Sequence, residues 1–264
     1  MELTTDKMIS RKEGGAGWMI FNNPERRNAL SMEMQQAIPV ILNDFQRDPK
    51  IRVVVMAGAG EKAFVSGADI SEFEKRRSDP KSIAEFDRIS ADANRAYANL
   101  EKPLIAMIRG FCMGGGLLTA LQADIRVASD DSVFGIPAAR LGLGYGFGGT
   151  QKVVETVGAA AAREILFTGG RFPATDALRW GLVNRVVPAA KLDSTVKRIT
   201  DAISENAPLT VNLLRASIVE ATKEPTERDL QTLETMVEAC FTSKDYIEGR
   251  QAFMEKRRPQ FRGQ

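Results

Sequence analysis

Two glycine turns hold the residues of this chain whose types and spacing could do chemistry. Gly114, Gly115 and Gly116 follow the apolar run Leu104–Ile108 and lead into a stretch of helical composition, 117–123. Three missing Cβ atoms let the backbone turn sharply and let another group come close to the main chain. At a helix N-terminus, unpaired N–H groups and the positive end of the helix dipole can hold an anion or a developing oxyanion. Taken alone, a triple glycine is also an ordinary strand-to-helix turn. A second stretch, KAFVSGADI at 62–70, repeats the order of strand end, glycine and polar helix start, and two such ends can face one point. The chain has no histidine, which excludes Ser-His-Asp triads, Cys-His pairs and imidazole metal sites. Cys112 and Cys240 are the only cysteines and lie far apart, so reduced thiols of a cytoplasmic protein are expected rather than a disulfide framework.

Several elements must position these turns. Residues 8–11 and 18–21 read as strands around the glycine-rich turn 14–17, a hairpin. Ser31 is an N-cap for a helix reaching about Arg47, with Met34, Ile38, Ile41 and Phe45 on one face and Pro39 predicting a kink. Residues 51–57 form a β-branched run, and 104–108 follows Pro103. Both read as strands buried on two faces. Ile83, Phe86, Ile89, Ala93, Tyr97 and Leu100 recur every three or four residues and predict an amphipathic helix covering the pocket. Residues 125–128 and 182–187 read as further strands. The glycine-dense stretch 138–150 lacks the GK-[ST] end of a phosphate loop and reads as a shaped loop lining a pocket. Helices are expected over 151–157 and 159–167, joined at Gly158. From about Lys191 the pattern is helical only, with new helices opening at Pro208 and Pro225.

Lysine plus arginine (36) nearly balances aspartate plus glutamate (34), so no net charge recruits nucleic acid. No apolar run approaches the ~18 residues of a membrane span. The first fifteen residues are polar and carry acids, without the apolar core of a secretion signal, which again points to the cytoplasm. Glu72 and Glu74 sit in a charged run that is solvated unless it borders the site.

KAFVSGADI, GGGLLTALQAD at 114–124, NPERRNAL at 23–30, LGLGYGFGGTQ at 141–151 and GLVNRVVP at 181–188 strongly resemble the crotonase superfamily, also called the enoyl-CoA hydratase/isomerase family. The resemblance runs over nearly the whole chain. It implies an α/β fold, a crotonase-like spiral of repeated β-β-α turns over residues 1–190, followed by a helical C-terminal region, 191–264, that packs on neighbouring subunits. The expected assembly is a homo-oligomer, a trimer or a dimer of trimers. The implied substrate is an acyl-CoA thioester, so coenzyme A belongs to the substrate and no separate cofactor or metal is expected.

The resemblance also assigns residues. It places the thioester oxygen on the backbone N–H groups of Ala68 and Gly115. It puts Arg26 and Arg27 along the coenzyme A phosphates, whose geometry suits a guanidinium fork. Ala29, Ser66, Asp69, Ile70, Gly114, Leu118, Ala138 and Arg140 fall in the substrate site, and Phe253 and Lys256 match an F-x-x-K that contacts coenzyme A, often across a subunit boundary. Asp69 is equally an N-cap for the helix after Ala68, Arg140 could pair with an acidic substrate group or with an acid of the core, and Asp124 matches a structural aspartate. One departure matters. Family hydratases carry a glutamate two residues after GGG and another directly after the proline of a P-E segment, whereas this chain has Leu118 and Ala138 there. Activated water is hard to supply without them. Tyr145 stands where family decarboxylases of malonyl-type thioesters place a tyrosine, which makes decarboxylation, or acyl-CoA binding without catalysis, the alternatives to enoyl-CoA chemistry.

Overall fold

The computed structural model describes residues 3–69 and 79–264. β1 (Met8–Glu13) and β2 (Ala16–Phe21) pair antiparallel from Met8↔Phe21 to Glu13↔Ala16, the expected hairpin. Ser31 Oγ accepts the Met34 N–H (3.3 Å) and opens α1 (Met32–Arg47), which runs through Pro39 as one helix. Ile38, Ile41, Leu42 and Phe45 are buried along α1, and this packing outweighs the backbone bond that proline removes. β3 (Val53–Gly58) lies parallel to β2. β5 (Leu104–Ile108), β7 (Ile125–Ser129) and β10 (Arg185–Val187) extend the sheet to six strands, ordered β1-β2-β3-β5-β7-β10.

Alternation along the central strands explains their unbroken apolar sequence. On β3, Val54 and Met56 join one core cluster and Val53 and Val55 the other. On β5, Leu104, Ala106 and Ile108 face the first and Ile105 the second. Successive side chains leave opposite faces of the sheet, so both sets must be apolar when both faces are covered. The second face is closed by Leu192 and Val196 of α6 (Leu192–Ser204), a helix that the sequence pattern had grouped with the C-terminal region.

A second sheet has four short strands in the order β4-β6-β8-β9: β4 (Ala63–Val65), β6 (Phe111–Met113), β8 (Val133–Gly135) and β9 (Phe172–Pro173). Cys112, Phe134 and Phe172 of this sheet sit in the first core, with the Phe134 and Phe172 rings stacked. α2 (Pro80–Ala98) is capped by the Asp79 carboxylate and packs on α1, where Ser90 Oγ donates to Gln35 (2.8 Å). Only Ile89, Ala93 and Tyr97 of α2 are buried, and Ile83 is exposed. The helix is therefore an outer layer over α1, and its regular spacing reflects that packing.

Three further helices connect the sheets: α3 (Gly115–Ala120), α4 (Phe147–Thr168) and α5 (Ala174–Arg179). α4 breaks at Gly158, whose φ of 75° joins two helical halves as the sequence predicts. It starts four residues earlier than expected, so the loop before it is shorter. After α6 come α7 (Pro208–Ala221), α8 (Leu230–Thr242) and α9 (Lys244–Met254). Pro208 opens α7 at N1, while Pro225 begins only a 3-10 turn. Arg215 on α7 binds Asp124 (3.0 Å), and that carboxylate also accepts the Leu104 N–H (2.8 Å), tying the helical region to β5.

Candidate active site

The N–H of Ala68 is aimed by a one-residue parallel bridge between Leu30 and Ala68. Leu30 N donates to Gly67 O (2.8 Å) and Asp69 N donates to Leu30 O (3.1 Å). In such a bridge the neighbours of Ala68 are consumed, and its own N–H points away from the 23–30 loop. Gly67 makes the bend with φ 124°, open only to glycine. The loop is itself held by Asn28, fully buried with φ 55°. Its amide donates to Ala59 O (3.0 Å) and Ala63 O (2.8 Å), and its carbonyl accepts the Asn23 N–H (2.9 Å). Asparagine tolerates this left-handed conformation. NPERRNAL was read for its arginines, yet Asn28 is what sets the loop's shape.

The triple glycine completes the pair. Gly114, with φ 52°, donates its N–H to Gly135 O (2.8 Å) and starts α3. A Cβ on Gly116 would run into the Val65 carbonyl, so glycine there permits α3 to lie against β4. A Cβ on Gly115 would lie 3.7 Å from Ala68 N, an ordinary contact, which places the two turns side by side. Among the described residues, neither the Ala68 N–H nor the Gly115 N–H has a protein acceptor. Both residues are half-buried. Two main-chain donors without acceptors among the described residues thus lie on adjacent turns, with the N-terminal end of α3 at Gly115.

Apolar groups lie beside the Gly114 turn and along α3. Ala138 is buried in the 3-10 turn Pro137–Leu141, and Pro137 Cδ lies 4.0 Å from where a Cβ of Gly114 would be. At Gly149 a Cβ would lie 3.1 Å from both Leu118 Cδ1 and Tyr145 Cε1, so these two side chains converge over that glycine. The Tyr145 hydroxyl is buried and has no hydrogen-bond partner among the described residues. Burial raises its pKa above the usual tyrosine value, which keeps it protonated and able to donate. Cys112 is buried behind Gly116, and burial likewise raises its thiol pKa, leaving it inert.

The remaining sequence-assigned residues divide into three groups. At the mouth, Arg26 ion-pairs with the buried Asp69 (3.2 Å), Ser66 Oγ donates to Arg26 O (3.4 Å), and Ala29 N donates to Arg26 O (3.1 Å). Asp69 is thus an arginine partner, while the helix it was expected to cap lies outside the described residues, as do Ile70, Glu72 and Glu74. Arg27 is exposed and lies over the Phe111 ring, 5.0 Å from its centroid. Arg140 is exposed with its stem against Gly169, and it pairs with no acid among the described residues. Phe253 and Lys256 sit on and just after α9. Phe253 is 83% exposed at a cavity of about 680 Å³ that it lines with Leu209, Tyr246, Gly249 and Phe261, and none of the residues around Ala68 and Gly115 lines that cavity. Phe111 and Arg171 at the mouth escaped the sequence reading, because strand pairing rather than any motif brings them together.

Comparisons with known proteins concern the whole chain. The family model described as enoyl-CoA hydratase/isomerase matches residues 11–264. The chain is 36% identical to a short-chain-enoyl-CoA hydratase of Clostridium acetobutylicum, over 98% of this chain and 97% of that protein. It is 34% identical to a carnitinyl-CoA dehydratase of Proteus mirabilis, over 93% and 94%. A crystal structure of an enoyl-CoA hydratase/carnithine racemase from Magnetospirillum magneticum superposes with a TM-score of 0.91 at 32% identity, covering 99% of this chain and 97% of that one. With the match running almost end to end and the folds superposing, the chain belongs to the enoyl-CoA hydratase/isomerase family of the crotonase superfamily.

Proposed function

We propose that this protein is an acyl-CoA enzyme that holds the thioester oxygen on the Ala68 and Gly115 N–H groups and stabilises an enolate there. The observation carrying the reading is the pair of main-chain N–H groups on adjacent, half-buried turns, each without an acceptor among the described residues. Proton abstraction beside a thioester, addition to a conjugated enoyl ester and loss of carbon dioxide from a malonyl-type ester all develop negative charge on that oxygen. Donors fixed in advance stabilise it without reorganising. Relatives named as hydratases support the substrate class. Leu118 and Ala138 argue against hydration as the reaction, since neither can accept a proton from water. No cofactor beyond the substrate's own coenzyme A is required by this scheme. Residues 1–190 form the proposed catalytic core, and residues 191–264 the region through which copies associate as a trimer or a dimer of trimers.

The Tyr145 hydroxyl favours a second, narrower reading. A buried donor with no acceptor, packed beside Leu118, suits a carboxylate on the substrate. In an alkylmalonyl thioester the bond from the α-carbon to the carboxylate would break and its electron pair would enter the thioester as an enolate. Carbon dioxide would leave, and a proton would then add to the α-carbon. No general base is needed.

Mass spectrometry after incubation with crotonyl-CoA, a longer 2-enoyl-CoA, a 3-enoyl-CoA, methylmalonyl-CoA and ethylmalonyl-CoA tests these readings, with Gly115→Pro as the variant lacking one donor. Loss of carbon dioxide, read as a mass change, or a shifted double bond, which leaves the mass unchanged and is read by chromatographic separation of the isomers, supports the enolate reading and names the reaction when it is abolished in the variant. Gain of water would overturn the objection based on Leu118 and Ala138. Coenzyme A binding without turnover of any substrate would leave a non-catalytic acyl-CoA-binding protein.

A further inference from the structure

Phe111 opens β6, and its N–H donates to the Lys62 carbonyl (3.0 Å), which fixes the half-buried ring where β4 and β6 begin. Two guanidinium groups reach this one ring from distant parts of the chain. The central carbon of Arg27 lies 5.0 Å from the ring centroid and that of Arg171 lies 5.5 Å from it. Arg27 is delivered by its own left-handed backbone, φ 51°, and its carbonyl accepts the Ser66 N–H (3.1 Å), two residues before Ala68. Arg171 is delivered by the small sheet: it immediately precedes β9, and the register runs Phe111↔Val133↔Pro173 across β6, β8 and β9.

An aromatic face attracts each cation, but two cations on one ring repel each other. Two neighbouring guanidiniums do have acids: Arg26 is paired with Asp69, and Arg109 with Glu61 and Asp193. Arg27 and Arg171 have no carboxylate partner among the described residues. Both are exposed, so their donor forks remain open to solvent beside the turn that carries Ala68. Two uncommitted guanidiniums held over one ring suit phosphate groups. A phosphate would also relieve their mutual repulsion.

We propose that Arg171 is a phosphate-binding residue that acts with Arg27 across the Phe111 ring to clamp the phosphate groups of the substrate's coenzyme A. The proposal rests on the acyl-CoA reading above. Calorimetric titration of coenzyme A and of pantetheine, which lacks the nucleotide and its 3′-phosphate, into wild type, Arg27→Gln, Arg171→Gln and Arg171→Lys tests it. Arg171→Gln is expected to weaken coenzyme A binding by roughly tenfold or more, the size of a lost charged hydrogen bond, and to leave pantetheine binding unchanged. Arg171→Lys keeps the charge without the fork and should recover part of the affinity. Because Arg171 is exposed, the melting curve of the Gln variant should match wild type. Coenzyme A binding by Arg171→Gln equal to wild type would overturn the clamp while leaving the acyl-CoA reading intact, as would an equal loss for both ligands. Failure of wild type itself to bind coenzyme A would bring down the underlying reading instead.

Discussion

Adjacent glycines in the central turn do different jobs, and substitution separates them. Gly116 is needed for space, since a methyl there meets the Val65 carbonyl. Gly116→Ala should therefore lower the unfolding midpoint, by about 1–3 kcal/mol as overpacked sites do. Gly115 is at the first position of α3, where proline fits a helix and removes only the N–H. Gly115→Pro should keep the fold, as judged by circular dichroism, and lower turnover by on the order of 10²–10³. A fully active Gly115→Pro would dismiss the main-chain donors. Tyr145 gives a further contrast. Its hydroxyl has no partner to lose among the described residues, so Tyr145→Phe should be as stable as wild type or more so by up to about 1 kcal/mol. If the hydroxyl binds a substrate carboxylate, the same variant loses at least about tenfold in kcat/KM on malonyl-type thioesters, a charged hydrogen bond's worth, and nothing on enoyl thioesters.

Elements are held in register by a few buried polar side chains. Asn28 satisfies groups on three segments at once. Asn28→Ala would strand them, and chemical denaturation should show a loss of about 2–3 kcal/mol. The buried Lys102 ammonium donates to Phe45 O (2.6 Å) and Asp48 O (2.8 Å), closing the C-terminal end of α1. Burial lowers its pKa to about 8, opposed by the charge of Asp48. The folded protein then sheds this proton near pH 8, while the unfolded chain keeps it to about pH 10.5. Stability must rise with pH across that window. The advantage of wild type over Lys102→Met should grow between pH 7.5 and 9.5 in urea titrations, and a constant difference would deny the linkage. Such ties mark the limit of what the sequence discloses. β3 and β5 were legible because both faces are buried and the residues are apolar throughout, and Ser31 and Pro208 announced their helices by local chemistry. β6 was not, because three residues between Gly110 and Gly114 carry no period, and its partners are set by contacts across the chain. The glycine turns and Tyr145 could be named from local pattern. The adjacency of the two glycine turns, and Arg171 joining Arg27 at Phe111, depend on pairings that no window of sequence contains.

For the molecule as a whole, the C-terminal helices are incompletely covered. No residue of α7 or α8 is fully buried, and Leu214, Ile218, Phe241 and Ile247 are each more than half exposed. Apolar surface of this extent is favourable only when another surface removes it from water. If it joins copies of the chain, wild type should sediment as a trimer or larger, and Ile218→Glu should shift it to monomer with its far-ultraviolet spectrum unchanged. An unshifted Ile218→Glu would move the interface elsewhere. The two free donors carry a consequence of another kind. They belong to the main chain, and every amino acid except proline supplies the same N–H at positions 68 and 115. On the proposed reading, substitutions at 118, 138 or 145 would exchange one reaction for another while the charge-stabilising pair passed through untouched, so such a scaffold would change its chemistry by single codons without first losing that pair.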